Sequence, residues 1–145
     1  MLTSPHKAPV HERAIAGALA VACLAVLITA AIVEPSDRGH GTHERLGMPP
    51  CGWAQTFGQP CPTCGMTTAF ANAADANWAR ALVVQPAGAA GAVAASMLFW
   101  SGIHVAAFGS RLGRVGARLL RPRWVWTGLA IGLAAWGYKI ATWSA

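Results

Sequence analysis

Residues 14–33 read AIAGALAVACLAVLITAAIV, twenty positions without a charged side chain. At 1.5 Å per residue, a helix of that length reaches about 30 Å, the thickness of a bilayer's hydrocarbon core. Inside lipid every backbone N–H needs an internal partner, so the run is predicted to be helical despite its β-branched residues. A cleaved signal peptide has a shorter apolar core, and no small-x-small site precedes the polar segment that follows. Cys23 follows Val21-Ala22, but Ala20 stands where a lipoprotein cleavage box carries Leu, and the apolar run continues past the cysteine. Cys23 is therefore read as a small apolar residue of the span.

The rest of the 145-residue chain has the same character. Hydrophobic residues make up 54% of it and charged residues 11%, against about 25% charged in soluble domains. Residues 87–108 (AGAAGAVAASMLFWSGIHVAAF) form a second apolar stretch, rich in Ala and Gly. Residues 124–143 (WVWTGLAIGLAAWGYKIATW) form a third, with tryptophans at both ends as expected for rings at headgroup level. Gly128 and Gly132 in it make a G-x-x-x-G pair, a pattern that also marks helix-packing faces. His104 and Lys139 are ionisable groups near the ends of their spans, close enough to an interface to snorkel.

Between the first two spans lies a Gly-, Pro- and His-rich loop, 34–60. A helix of intermediate polarity is predicted over 61–84, with Pro62 in its first turn. Cys64, Thr68, Asn72 and Asp75 fall on one face of that helix, and Met66, Phe70, Ala73 and Ala81 on the other. The expected fold is an all-α integral membrane protein of one domain, with three transmembrane helices and one amphipathic interfacial helix after a Cys-bearing loop.

The net charge of +6 does not point to nucleic acid. Five of the eleven Lys and Arg residues (Arg111, Arg114, Arg118, Arg121 and Arg123) lie in the stretch 109–123 between two apolar runs. No aromatic interleaving or nucleic-acid motif accompanies them. They fit a cytoplasmic loop that orients its flanking helices and touches anionic lipid; an acidic protein partner is the alternative. With Lys7 and Arg13 that side carries seven basic residues, against Arg38, Arg45, Arg80 and Lys139 on the other. The bias places the N-terminus in the cytoplasm and loop 34–60 outside the cytoplasmic membrane, where disulfides persist.

The chemistry is concentrated in Cys51, Cys61 and Cys64. Three readings stay open. A disulfide among them would staple the loop to the helix. A redox pair would use Cys61 as nucleophile and Cys64 as resolving thiol, with Cys51 as exchange partner. A metal site would combine Cys61 and Cys64 with His40 and His43 of the H-x-x-H segment, a set that suits zinc or copper. Asp75, on the cysteine face, is a candidate to tune a thiol.

The blocks Glu34-Pro35, Cys51, Gly58-Gln59-Pro60-Cys61-Pro62-Thr63-Cys64-Gly65-Met66-Thr67-Thr68-Ala69 and Gln85-Pro86 resemble an uncharacterised family of small bacterial membrane proteins, a domain of unknown function. Its pattern is an acidic residue and Pro after the first span, then Cys, then G-x-x-C-P-x-C-G-[hydrophobic]-T-[RT]-A, then Asn- or Gln-Pro. Many members have Arg at the place of Thr68, and Gly-Asp where this chain has Ala74-Asp75. The resemblance implies a bacterial multi-pass membrane protein, supplies no activity, and groups Pro62, Gly65, Thr67 and Thr68 with the cysteines as one unit.

Overall fold

The computed structural model describes residues 8–110 and 122–143, and all regular structure among them is helical. We number the helices α1 (Val10–Ile32), α2 (Gly52–Phe57), α3 (Met66–Ala74), α4 (Trp78–Val84), α5 (Pro86–Phe108) and α6 (Pro122–Ala141), with a 3₁₀ turn over Thr42–Leu46. Of the five orienting arginines, Arg111, Arg114, Arg118 and Arg121 lie outside the described residues.

Helices α1 and α5 form the frame. Each has 23 residues, about 34 Å of helix, and they run antiparallel. Small residues set their spacing: a Cβ added to Gly102 would sit 2.8 Å from the Ala16 carbonyl oxygen and 3.0 Å from the Ala20 Cβ. At one end, the Arg13 guanidinium donates to the Ala106 oxygen (2.8 and 3.0 Å) and the Ala107 oxygen (3.2 Å). The Ala8 N–H donates to the Gly109 oxygen at 2.9 Å. These bonds satisfy carbonyls that the last turn of α5 leaves without intrahelical partners. At the other end α1 runs into the loop and α5 begins at Pro86, so the cysteine segment and Arg13 lie at opposite ends of the pair.

Among the described residues, α1 and α5 are the two helices long and apolar enough to cross a membrane. Their apolar side chains are not used up in packing: only 11% and 17% of their most apolar windows is buried. The third expected span is helical as Pro122–Ala141, but three Trp, three Gly, a Tyr, Arg123 and Lys139 dilute its apolar character. Gly128 and Gly132 meet no neighbouring atom within 4 Å, so the G-x-x-x-G pair packs on nothing within the described residues. Helix α6 touches the rest through its second half, where Ala135 and Lys139 are buried.

The single helix expected over 61–84 is instead a turn followed by two short helices. Cys61 to Gly65 is non-helical, and α3 is separated from α4 by a break in which Ala76 takes φ 60°. The Asn77 side chain caps α4 by accepting from the Arg80 N–H, so the Asn that a continuous helix would waste starts a new one. Helix α3 also differs from an interfacial helix in being buried on its polar face as well as its apolar one. Thr68 and Asn72 are buried, because their polar atoms have partners inside: Asn72 Nδ2 donates to the Thr68 oxygen at 2.8 Å, and Thr68 Oγ1 pairs with Thr42 Oγ1 at 2.8 Å.

Candidate metal centre

The segment Cys61-Pro62-Thr63-Cys64 is a tight turn, closed by the Cys64 N–H on the Cys61 oxygen at 3.0 Å. Pro62 occupies the position whose φ a proline ring presets. Helix α3 begins only at Met66, with Gly65 as its N-cap. The expected helix start at Cys61, with Pro62 in its first turn, is thus corrected: both residues precede α3 by about a full turn. The consequence is geometric. A turn of this kind turns both thiols to one side, and Cys61 Sγ lies 3.1 Å from Cys64 Sγ.

Cys51 completes the group from a separate stretch of chain. It is the N-cap of α2, and its Sγ lies 3.5 Å from Cys64 Sγ. All three sulfurs fall within 4.8 Å of one another, and together they form a group able to hold a metal ion. All three are free thiols, farther apart than the roughly 2.05 Å of a disulfide. Cys23, on α1, stands apart from them.

The thiols are not equivalent. Cys64 is buried and Cys61 half-buried. Partial burial pushes the Cys61 thiol up, but hydrogen bonds from the Thr63 hydroxyl (3.3 Å), the Cys64 thiol and the Thr63 backbone outweigh it and hold Cys61 below its ordinary value. Burial and then the bond to Cys61 push Cys64 up to about 12. Of these two thiols, Cys61 is the one that ionises more readily.

Distant elements bond to the turn and its surroundings and pack closely about Gly65. Gly65 has φ +85°, and a Cβ there would lie 2.8 Å from the Gly39 oxygen, 3.2 Å from Lys139 Nζ and 3.3 Å from Val84 Cγ1. The Gly of the C-P-x-C-G block is thus fixed both by backbone conformation and by space. Gln85, fully buried, donates its Nε2 to the Pro62 oxygen at 3.2 Å, tying the Gln-Pro block to the cysteine turn. From α6, Trp136 Nε1 donates to the Pro60 oxygen at 2.9 Å. Lys139 Nζ donates to the oxygens of Gly39 (3.2 Å) and Val84 (3.1 Å). The sequence marked Gln85 only as part of the Gln-Pro block, gave no sign of Trp136, and read Lys139 as snorkelling to an interface. It is buried, and no carboxylate pairs with it among the described residues.

The remaining candidates divide clearly. His40 and His43 line the same cavity, about 540 Å³, as the three cysteines, but neither belongs to the close sulfur group. His40 Nδ1 meets the Arg38 oxygen at 3.0 Å, and its ring packs on Trp143 at 4.4 Å between centroids; burial lowers its pKa. Thr67 lines the cavity. Thr68 does not: it belongs to a buried chain in which Thr42 Oγ1 also accepts the Ser36 N–H at 3.0 Å, holding the loop on α3. Asp75 is exposed at the far end of α3 and outside the cavity, so the thiol-tuning role falls away. His104 is exposed and bonded to Ser110, and Arg123 packs over Trp124.

This compact unit, from Cys51 through the turn and α3 into α5, coincides with a known sequence family. Residues 51–100 match the model of a protein of unknown function, DUF2752. The match starts at the first cysteine of the cluster and ends within α5, so the matched block includes all three sulfurs, Gly65 and Gln85. The donors Trp136 and Lys139 lie beyond it. No curated protein and no solved structure matches the chain.

Proposed function

We propose that this chain is a multi-pass membrane protein holding a thiophilic metal ion on the thiolates of Cys51, Cys61 and Cys64, at the exterior end of its helix bundle. The observation that carries the reading is the convergence of three sulfurs within 4.8 Å. Zinc–sulfur bonds of about 2.3 Å place coordinated thiolates about 3.8–4.0 Å apart, so sulfurs now 3.1 and 3.5 Å apart need only small shifts to close on an ion. Binding would release the thiol protons, including the one held on Cys64. His40 and His43 stand at the cavity wall as donors for a fourth position.

The membrane part of the proposal has α1, α5 and α6 crossing the bilayer, with Arg13 at the cytoplasmic end and the cysteines outside, in a bacterial inner membrane. The exposed apolar flanks of α1 and α5 support it, as does the placement of Arg13 and the cysteines at opposite ends.

Elemental analysis of detergent-purified, reduced protein tests the metal site. About one zinc or copper per chain, lost in Cys51→Ser, Cys61→Ser and Cys64→Ser alike, is expected. Protein with no bound metal after loading would overturn it. Labelling of intact cells with a membrane-impermeant maleimide tests the orientation, and thiols reached only after lysis would reverse it.

A second reading is favoured by the unequal exposure of Cys61 and Cys64. As a thiol–disulfide oxidoreductase, the Cys61 thiolate would attack a partner disulfide. Cys64 would then displace the resulting mixed disulfide, leaving the pair oxidised and the partner reduced by two electrons. Capture of a mixed disulfide by Cys64→Ser, with metal absent from the wild type, would select this reading.

A further inference from the structure

We infer that the ion this site takes is copper(I), with the thioethers of Met48 and Met66 as its second tier of ligands. The inference rests on the thiolate–metal reading above and specifies the metal class.

The first argument is the donor set. Zinc in a closed protein site takes four ligands of nitrogen and sulfur, and here three thiols converge with no fourth donor in their group among the described residues. His40 and His43 line the cavity wall but stand outside the close sulfur group, so a fourth ligand from them needs the loop to move, whereas the three sulfurs are already together. Three sulfurs without a fourth ligand match a soft ion satisfied by trigonal sulfur.

The second argument is what else lines the cavity. Met48 and Met66 share it with the three cysteines. A thioether is neutral and polarisable and prefers soft ions such as copper(I). Met66 is the residue after Gly65, at the first position of α3. Met48 is 45% exposed and sits directly before Pro49-Pro50 on the approach to Cys51, so packing does not account for it. With both thioethers in the lining of the cavity that holds the thiols, a soft ion there meets sulfur donors beyond the three cysteines.

The third argument is charge. Copper(I) on three thiolates carries net charge −2. The Lys139 ammonium lies 3.2 Å from the place a Gly65 Cβ would take and lacks a carboxylate partner among the described residues, so it offsets part of that charge from a fixed position. No electron moves in the step: copper arrives as copper(I), and every proton still on the three thiols leaves to solvent.

The test uses the full chain in detergent, reduced and under anaerobic conditions. Copper(I) is titrated against bathocuproine disulfonate, and zinc against a colorimetric chelator. One copper(I) per chain is expected, displacing any bound zinc. In the double variant Met48→Leu, Met66→Leu, copper(I) should be lost to the chelator about tenfold more readily, the scale of losing outer donors at a metal site. Zinc affinity and thermal stability of that variant should stay at wild-type values. Zinc held in preference to copper(I), or a double variant that keeps copper(I) as tightly as the wild type, overturns this inference and leaves the three-thiolate site standing. A wild-type chain that takes neither ion overturns both.

Discussion

Replacing Gly65 by Ala adds one carbon atom, and its cost can be worked from the structure. The residue sits at φ +85°, and the left-handed conformation costs a residue with a Cβ about 1–2 kcal/mol. The added carbon would also lie 2.8 Å from the Gly39 oxygen, closer than real Cβ contacts allow. That carbonyl cannot give way freely, because it accepts the Lys139 ammonium at 3.2 Å. Breaking a hydrogen bond to a charged group costs about 1.5–3 kcal/mol. The sum is about 3–5 kcal/mol, a large share of the roughly 5–15 kcal/mol that separates folded from unfolded protein. Gly47→Ala is the control: Gly47 has φ +78° but nothing within 4 Å of an added Cβ, so only the conformational cost of about 1–2 kcal/mol applies. The assay is denaturant unfolding in detergent, with metal content measured on the same samples. Gly65→Ala should lose at least twice the stability that Gly47→Ala loses, and lose its metal, while Gly47→Ala keeps it. Equal losses in the two variants, or a metal-replete Gly65→Ala, would refute the argument that the loop carbonyl and Lys139 hold the cysteine turn.

Three further outcomes are expected. Thr42→Val should destabilise more than Thr68→Val, because Thr42 Oγ1 serves both Thr68 and the buried Ser36 N–H; the difference should be about 1–3 kcal/mol, one buried donor left unsatisfied, read from unfolding midpoints. With metal removed, iodoacetamide should modify Cys61 before Cys64, followed by peptide mass spectrometry. Raising the pH from neutral should speed Cys61 labelling as its lowered thiol ionises, while Cys64, pushed up to about 12, stays a thiol; equal rates at the two sites would contradict the asymmetry. Trp136→Phe removes the donor to the Pro60 oxygen and should weaken metal retention with helix content unchanged by circular dichroism.

What was legible in the sequence follows from what kind of signal each feature leaves. Uncharged runs of about twenty residues announce α1 and α5 as helices long and apolar enough to cross a membrane. Pro86 after Gln85 marks the start of α5. The break of 61–84 into a turn and two helices was hidden, since Asn77 and Ala76 look like ordinary members of a helical face, and only the Asn77 cap gives the restart away. The burial of Thr68 and Asn72 was hidden too: amphipathic patterning assumes that polar means outward, and here the polar atoms find partners on the loop and on their own helix. At the site, C-x-x-C and Cys51 were both visible, but Cys51 entered only the disulfide and redox readings and not the metal set. The H-x-x-H spacing drew attention to His40 and His43, whereas the loop folds so that Cys51, ten residues before Cys61, supplies the third sulfur.

The cysteine turn has little to hold it by itself: five residues, no regular structure, and one backbone bond closing it. What fixes it is a ring of donors aimed at its carbonyls and those of its neighbours. Gln85 reaches the Pro62 oxygen from the start of α5, Trp136 reaches the Pro60 oxygen from α6, and Lys139 reaches the Gly39 and Val84 oxygens. Each donor is on, or at the start of, an element that would also have to be placed for the helix bundle to form. The sulfur geometry is therefore a property of the assembled bundle and not of the motif, and a peptide carrying only residues 48–66, which keeps Met48, Met66 and the three cysteines, should bind metal without the preference for copper(I) that the intact chain is expected to show. If that peptide matched the full chain in both affinity and metal choice, the donors from α5 and α6 would have no part in the site, and their burial would need another explanation.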